Sequence, residues 1–495
     1  MTTIRHALYI ILVGAIGCVS QKPKNSQELV AVLGCWKGVH VSQLGGGVSQ
    51  WNYFSLRRDS SLALSMIYET GPRSRVWILD DDVTVNDGKV LWEYHEGVLS
   101  ESRDTMTMLK EYRGQKTLWR FIRSKSGDSL MAALHAYSGE SDVYRVPKDL
   151  DDGWACADPS ESGVDKARII KLVEQIRSGE HDDIHSFLMV RKGKLVVEEY
   201  FAANGSKHGS FITDLFRQRV HHLASTTKSV TSTLVGIAID QGSIRDADEP
   251  ICRYLPAYAS LFNEDKKRIR IRDMLTMTAG FEWRQFGVSD AQNDGMRMWR
   301  TDDVIRFVLE KPLVAEPGKR FDYSNGVPTV TGAIIKNAVG MEVKEFAEQY
   351  LFRPLGISEY LWTSYPDGSI ETDGGLALRS RDLAKIGQVF LDGGVWKGRR
   401  IVSEQWVSES TRERLRFGGS HQWGYGYHWM QAETRIGDQV VHSYFVPGDG
   451  NQILAAFPAF EMVVVFTAGN YGRDPKPEYY SLFEEFIVPS VKLNE

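Results

Sequence analysis

Short runs of alternating apolar and polar residues dominate the chain from about residue 28 to residue 146. Examples are VWILDDDVTV, KVLWEYHEGVL and LWRFIRS, which are separated by Gly, Asp and Asn turn signals. Alternation with a period of two is typical of strands with one buried face, and the frequent turn residues favour antiparallel neighbours. The pattern therefore predicts a small antiparallel β domain over residues 26–148.

A polar, turn-rich segment at residues 147–162, PKDLDDGWACADPSES, interrupts this pattern and predicts a domain boundary. Helical periodicity then begins at DKARIIKLVEQIRSG, and IHSFLMVRKGKLVVEEYF predicts a hairpin that turns at Lys192 and Gly193. Two further apolar runs, NQILAAFPAF and EMVVVFTAGN, lie near the C-terminus. Residues 155–495 are therefore predicted to be an α+β domain, with an antiparallel sheet flanked by helices and a mostly helical lobe.

One predicted helix carries a charge where its apolar run begins. In HHLASTTKSVTSTLVGIAIDQG, residues 221–242, Lys228 follows Ser225 by three positions, so both side chains lie on one face. A serine hydroxyl is a weak nucleophile that needs a base within reach, and desolvation of the lysine favours the neutral amine that can serve as one. Because Ser-x-x-Lys also arises by chance on solvated helix faces, a purely structural role for the pair stays open.

A second polar group, Tyr323-Ser324-Asn325, follows a Pro-Gly turn and precedes another apolar helix. A tyrosine hydroxyl can relay a proton to a leaving group, and an asparagine amide can hold the lysine and bind a substrate carbonyl. Taken alone, Tyr323 is more often a hydrogen-bonded core residue and Asn325 a helix cap. Only the combination with Ser225 and Lys228 favours a catalytic site.

Ser-x-x-Lys followed by Tyr-x-Asn resembles the penicillin-recognising serine hydrolases, which include class C β-lactamases, DD-peptidases, esterases and 6-aminohexanoate-dimer hydrolases. HHLASTTKSVTS, RIRDMLTMTAGFEW and GGLALRSRDLAKIGQVFLDGG are also similar to this family, and the resemblance covers about residues 160–485. It implies a β-lactamase/transpeptidase-like fold and leaves the β domain unexplained. By matching position it also implies that Ser225 is the acylated nucleophile, Lys228 its activating partner, Tyr323 the general acid and base, and Asn325 a substrate-positioning amide.

The third motif departs from the lactamase pattern. Where lactamases carry Lys-Thr-Gly, this chain has HSYFVPGDGNQ, residues 442–452, in which Gly448 and Gly450 match the G-x-G-G-Q text of the amidase and esterase relatives. These glycines are therefore predicted to border the substrate. Since β-lactams and D-alanyl peptides carry a carboxylate that a basic group normally holds, loss of the lysine favours an ester or amide without one, with β-lactamase or DD-peptidase activity as the alternative. His442 could partly replace the lysine, although an ordinary strand position is the simpler interpretation.

The first residues, MTTIRHALYIILVGAIGC, run from a basic start into an apolar stretch too short to span a bilayer, which predicts an export signal at residues 1–18. The end GAIGC resembles a bacterial lipobox, which implies lipidation of Cys18, with a simple cleaved signal as the alternative. These features predict an exported bacterial envelope protein that is periplasmic and meets the membrane only through its lipid anchor.

Composition narrows the remaining choices. A formal net charge of -5 over 495 residues provides no basic field for nucleic acid. The cysteines and histidines show neither CxxC nor HExxH spacing, so no metal or cofactor is predicted. We expect a monomer that acts on a small-molecule ester or amide. The alternatives from other functional classes are an inactive, envelope-anchored binding protein with this fold and a ligand-binding role for the β domain.

Overall fold

The computed structural model describes an N-terminal and a C-terminal part of the chain. In the N-terminal part it describes the backbone of eight strands between residues 34 and 123. In the C-terminal part it describes residues 146–181, 183–201, 217, 220–289, 291–418, 423–436, 439–471 and 481–491. Within these ranges no helix is both long enough and apolar enough to cross a bilayer. Cys18 and the predicted export signal lie outside the described residues, so lipidation and location stay predictions.

The eight N-terminal strands close into an antiparallel barrel. Neighbours in sequence are neighbours in the barrel, and the first strand closes it against the last, with Trp36 opposite Arg123. Closure pairs the backbone groups that an open sheet edge would leave exposed. The predicted boundaries at residues 26–148 and 155–495 stay a prediction. The strands are β1 (Gly34–Val41), β2 (Gly47–Leu56), β3 (Leu62–Thr70), β4 (Asp80–Asn86), β5 (Lys89–Trp92), β6 (His95–Leu99), β7 (Thr105–Tyr112) and β8 (Gln115–Arg123).

The C-terminal part is built on a nine-stranded sheet in which strands from both of its ends meet. β10 (Ile184–Arg191) is buried along its whole length between β11 (Lys194–Tyr200) and β22 (Met462–Ala468). The hairpin turns at Lys192 and Gly193 as predicted, with φ angles of 49° and 72° that suit the right-handed twist of the strands. The other strands are β9 (Ala155–Cys156), β17 (Leu415–Phe417), β18 (Trp423–Tyr425), β19 (Met430–Ile436), β20 (Gln439–Gly448) and β21 (Gln452–Phe457).

Helices cover both faces of this sheet. On one face, α1 (Lys166–Ser178) shares an apolar core with Val464 of β22. On the other face lies α8 (Ser380–Leu391), where Gly387 allows so close an approach that a Cβ atom would lie 2.6 Å from Val463 Cγ1. Successive strand residues point to opposite faces, so Val463 and Val464 contact different helices. The predicted α+β arrangement of a sheet flanked by helices is thereby confirmed.

A mostly helical lobe is inserted between β11 and β17. Its two central helices, α2 (Thr227–Asp240) and α6 (Gly326–Val339), are largely buried and pack against each other. This packing brings the two polar groups singled out by the sequence to one place. The other elements are α3 (Ile271–Leu275), α4 (Asp294–Met298), α5 (Val304–Leu309), α7 (Val343–Ala347), α9 (Glu404–Thr411), β12 (His221–His222), β13 (Tyr360–Trp362), β14 (Leu376–Leu378), β15 (Val395–Trp396) and β16 (Arg399–Arg400).

Candidate active site

A strained turn holds Ser225 in place. Before it, Leu223 donates its N–H to the carbonyl oxygen of Leu376 at 2.9 Å, and the chain then enters α2 through a 3-10 turn at Ala224–Thr226. Ala224 has a φ of 47°, a left-handed conformation that costs a residue with a Cβ atom about 1–2 kcal/mol. Such strain persists only where the surrounding structure over-determines it. The turn places Ser225 at the N-terminal end of a buried helix, where the helix dipole favours negative charge.

Lys228 lies one helical turn behind Ser225. The residue is 3% exposed, and its Nζ lies 2.9 Å from Ser225 Oγ, 3.0 Å from Asn325 Oδ1 and 2.6 Å from the carbonyl oxygen of Asp373. A neutral amine has two N–H donors and one lone pair. Because the amide and carbonyl oxygens can only accept, a neutral Lys228 can donate to both and turn its lone pair to the serine hydroxyl. The geometry therefore places an amine that could act as a base within hydrogen-bond distance of Ser225.

Tyr323 approaches Ser225 with its hydroxyl group. The two side-chain oxygens are 2.8 Å apart, and the centre of the tyrosine ring lies 5.1 Å from Lys228 Nζ. The hydroxyl can donate to Ser225 Oγ while the serine proton moves to Lys228, and it can also carry a proton onward to a leaving group. The oxygen of Ser225 is thus the point on which an amine and a phenol converge.

Helix α6 is capped by the side chain of Ser324 and not by that of Asn325. Ser324 Oγ accepts hydrogen bonds from the N–H groups of Gly326 at 3.1 Å and Val327 at 3.4 Å. The Asn325 side chain makes no capping bond, and its backbone N–H donates to Gln285 Oε1 at 3.1 Å. The helix-cap interpretation therefore applies to Ser324, and the amide oxygen of Asn325 is left to accept from Lys228.

The third motif lies against the turn that carries Ser225. β20 pairs with β19 only as far as Phe445, so residues 446–448 keep one open edge. A Cβ atom added to Gly448 would lie 2.2 Å from the carbonyl oxygen of Leu223, so only glycine fits there. An open strand edge that lies against the turn of Ser225 is suited to present an N–H group to an oxyanion, together with the N–H of Ser225.

The other residues of the third motif contact the protein itself or lie on its surface. Gly450 has a φ of 83°, and a Cβ atom there would lie 2.8 Å from the ring of Tyr471. Gln452 donates to the carbonyl oxygen of Ala468 at 2.6 Å and accepts from its N–H at 3.2 Å. The side chain of His442 is 76% exposed on β20, which agrees with its interpretation as an ordinary strand residue.

Gly448→Ala is expected to lower kcat/KM by about tenfold or more, which corresponds to about 1.4 kcal/mol of transition-state stabilisation. The added methyl group would meet a backbone carbonyl, so either β20 or the turn of Ser225 must move. The measurement is kcat/KM together with the thermal unfolding midpoint. Gly418→Ala is the matched control, because a Cβ atom there has nothing within 4 Å. Full activity of Gly448→Ala would show that the open edge plays no part in the reaction.

Three residues next to the site were not predicted from the sequence. Asp373 provides its carbonyl oxygen to Lys228, Gln285 accepts from the backbone of Asn325, and the ring of Phe286 lies 5.8 Å from that of Tyr323. Asp373 had a signal, the Asp-Gly-Gly sequence, in which paired glycines indicate a close backbone approach. Phe286 is 72% exposed and had none, since a single phenylalanine in a polar loop is ordinary.

The aromatic segment at residues 421–430 divides between core and site, with residues 421 and 422 outside the described part of the chain. Trp429 is fully buried, and its ring lies 4.3 Å from that of Phe390, so it belongs to the core. Tyr425 is also buried, and its ring lies 5.2 Å from that of Phe321, two residues before Tyr323. Trp429 and Tyr425 are therefore core residues, and Tyr425 packs against the segment that leads to Tyr323.

Residues 185–483 match a family model described as Beta-lactamase. The chain is 29% identical over 244 residues to 6-aminohexanoate-dimer hydrolase of Paenarthrobacter ureafaciens, an alignment that covers 48% of this chain and 58% of that protein. It is 26% identical over 181 residues to the D-alanyl-D-alanine-carboxypeptidase/endopeptidase AmpH of Escherichia coli K12, covering 36% of this chain and 45% of that protein. The chain thus spans about half the length of the curated relatives it matches.

A solved class C beta-lactamase has a similar fold. The superposition has a TM-score of 0.51 at 16% identity and covers 71% of this chain and 100% of that one. Likeness at this identity concerns the fold alone. It confirms the predicted β-lactamase/transpeptidase-like architecture.

Proposed function

Because this chain belongs to the beta-lactamase family of serine hydrolases, we propose that it hydrolyses an ester or amide through an acyl-enzyme on Ser225. The observation that carries the proposal is the convergence of Lys228 Nζ and the Tyr323 hydroxyl on Ser225 Oγ, at 2.9 and 2.8 Å. A nucleophile, a base and a second proton carrier are the parts that acyl transfer needs. A protein that only binds a ligand has no use for a buried lysine at this place, so the inactive-scaffold alternative is disfavoured.

In the proposed cycle, Lys228 takes the proton of Ser225 as Oγ attacks the substrate carbonyl carbon. The oxygen of that carbonyl becomes negative, and the N–H of Ser225 and the open edge of β20 stabilise it. Tyr323 gives its hydroxyl proton to the leaving alcohol or amine as the bond to it breaks, and the ammonium group of Lys228 returns a proton to the phenolate, so that both groups regain their starting states. A water molecule, activated by the same groups, then attacks the acyl-enzyme and releases the acid.

The surroundings of the site favour a substrate without a carboxylate. The open edge of β20 carries no lysine, and the charged residue that follows Gly448 is the exposed Asp449, which repels an anionic group. Phe286 presents an exposed aromatic face beside Tyr323, which suits an apolar acyl or leaving group. We therefore propose an apolar ester or amide as the substrate class, in contrast to β-lactams and D-alanyl peptides.

The test has two steps. First, the intact mass of the folded protein is measured after exposure to a fluorophosphonate, and the adduct is mapped by proteolysis. One adduct on the peptide that contains Ser225 is expected, and its absence from a demonstrably folded protein would overturn the hydrolase proposal in favour of a binding scaffold.

Second, two nitrophenyl esters that differ only in a terminal methyl or carboxylate group are compared. We expect the nitrophenyl ester that ends in a methyl group to have at least a tenfold higher kcat/KM, which corresponds to about 1.4 kcal/mol of transition-state stabilisation. The reverse order would favour a β-lactamase or DD-peptidase.

A further inference from the structure

A second buried ionisable residue, Asp373, contacts Lys228 through its backbone. Asp373 gives its carbonyl oxygen to the lysine, and its own carboxyl group is enclosed, with the residue 3% exposed. The carboxyl Oδ1 lies 2.6 Å from the hydroxyl of Tyr365 and 3.3 Å from that of Thr329. Thr329 has a single proton and also bonds to the carbonyl oxygen of Asn325 at 2.9 Å, so Tyr365 is the main donor to the carboxyl group.

Two buried ionisable groups of opposite sign restrict each other's charge. A single buried ion is costly, whereas an ion pair or a neutral pair leaves the pocket without net charge. Burial raises the pKa of Asp373, and the charge of Lys228 acts in the opposite direction. An ionised carboxyl group and a charged amine in this pocket therefore stabilise each other.

The other titratable groups around this pair are held neutral or lie further out. Burial, and then Lys228, lowers the pKa of His428 to about 3, so its imidazole is uncharged during catalysis. Burial raises the pKa of Tyr365 and of Tyr425 well above the ordinary value, so both phenols keep their protons. Glu371 acts on Tyr365 and accepts a hydrogen bond from Thr363 at 2.5 Å, and Tyr323 faces the lysine from the other side.

We propose that Asp373 is a positioning residue that sets the protonation state of Lys228. The inference rests on the proposed function, because it assigns a purpose to the charge of a lysine that activates Ser225. When the serine proton moves to Lys228, the amine becomes an ammonium ion in a buried pocket. Before the transfer, the carboxylate of Asp373 is a lone buried ion that accepts hydrogen bonds from Tyr365 and Thr329. The ammonium ion gives it a partner of opposite charge, so the carboxylate favours the transfer. The electron pair of the serine O–H bond forms the new C–O bond, and the negative charge passes to the carbonyl oxygen of the substrate. The carbonyl group of the same residue keeps the amine pointed at Ser225.

Asp373→Asn tests this role through the pH dependence of kcat/KM. Asparagine keeps the shape and the backbone carbonyl but removes the negative charge, so Lys228 should release its proton more easily. We expect the profile to move to lower pH by about one unit or more, and its plateau to fall about tenfold or more. Tyr365→Phe keeps the carboxyl group and removes its donor, so a smaller shift in the same direction is expected.

Thr372→Val is the control for damage to the buried surroundings. Thr372 precedes Asp373, is fully buried and bonds through its hydroxyl to the carbonyl oxygen of Pro328, away from Lys228. This variant should leave the position of the profile unchanged. A lower rate in Asp373→Asn at an unmoved profile would show a merely structural role and overturn the proposal.

The pH dependence of unfolding gives a readout that does not require activity. A carboxyl group whose pKa is raised on folding binds a proton in the folded state that the unfolded chain releases. Its contribution to stability is full below the unfolded pKa, about 3.9, and is lost as pH rises through the folded pKa. The stability of the wild type relative to Asp373→Asn should therefore fall as pH rises from about 4. If the difference in stability between the wild type and Asp373→Asn did not change with pH, the inference would be overturned. Failure of the fluorophosphonate to label Ser225 would count against the proposed function alone.

Discussion

Replacing Ser225 with alanine is expected to abolish labelling by a fluorophosphonate and to lower kcat/KM by about 10³-fold or more, which is about 4 kcal/mol. The variant removes the one atom to which both Lys228 and Tyr323 bond. Alanine tolerates the N-terminal turn of a helix well, so the free energy of unfolding should change by less than about 1 kcal/mol. The measurements are kcat/KM for the nitrophenyl ester that ends in a methyl group, the intact mass after labelling and the midpoint of thermal unfolding.

Ser232→Ala is the matched control for this experiment. Ser232 lies on the same helix and is fully buried, and its hydroxyl has no hydrogen-bond partner among the described residues. Its replacement should leave labelling and turnover as they are. If Ser225→Ala kept its adduct and its activity, the nucleophile would be a different residue.

Lys228→Met is expected to have the second largest effect, again about 10³-fold or more in kcat/KM. Methionine has a similar length and suits a buried position, but it cannot take the serine proton. The oxygens of Asn325 and Asp373 lose a donor, which costs about 1–3 kcal/mol, and relief from burying an amine offsets part of that cost. Kinetics at several pH values and the denaturant midpoint separate lost catalysis from lost stability.

Lys228→Arg distinguishes a base from a fixed positive charge, since a guanidinium group stays protonated at every pH of the assay. If Lys228 acts as a base, the arginine variant should be as inactive as the methionine variant. Lys336→Met, on α6 with its side chain 51% exposed, should leave the kinetics unchanged. Retained activity in Lys228→Met would mean that Tyr323 activates the serine without the lysine.

The central strands of the sheet in the C-terminal part were predictable because they are buried on both faces. A strand of this kind is a continuous apolar run, as in β10 and β22, and the two runs stand out at opposite ends of the domain sequence. The hairpin turn at Lys192 and Gly193 was predictable for a local reason, since Gly193 takes a positive φ angle without steric cost. Lys192 also has a positive φ angle, and its residue type does not signal one. In the N-terminal part the alternation predicts strands but not a closed barrel. Closure depends on stagger and tilt across all eight strands.

The candidate site was only partly predictable. Ser225 and Lys228 are neighbours because residues three positions apart lie on the same face of a helix, and this spacing can be read from the sequence. For Tyr323 and Asn325 the sequence left a core tyrosine and a helix cap as the ordinary interpretations. The structure gives the cap to Ser324 and turns the asparagine to Lys228. That exchange between adjacent residues depends on the exact start of α6, which apolar periodicity does not determine.

By itself, the sequence determined which segments are buried, where the chain turns and which nucleophile lies one helical turn from its lysine. Each of these is encoded within a few residues, through side-chain period, turn chemistry and helix spacing. Only the tertiary structure decided that Tyr323 and Asp373 meet Ser225 and Lys228, across 98 and 145 residues. It also decided that Gly448 lies against the turn of Ser225 and that Phe286 is exposed beside Tyr323. Contacts of this range follow from how α2, α6 and β20 pack against one another, and packing depends on the shapes of all the side chains between them.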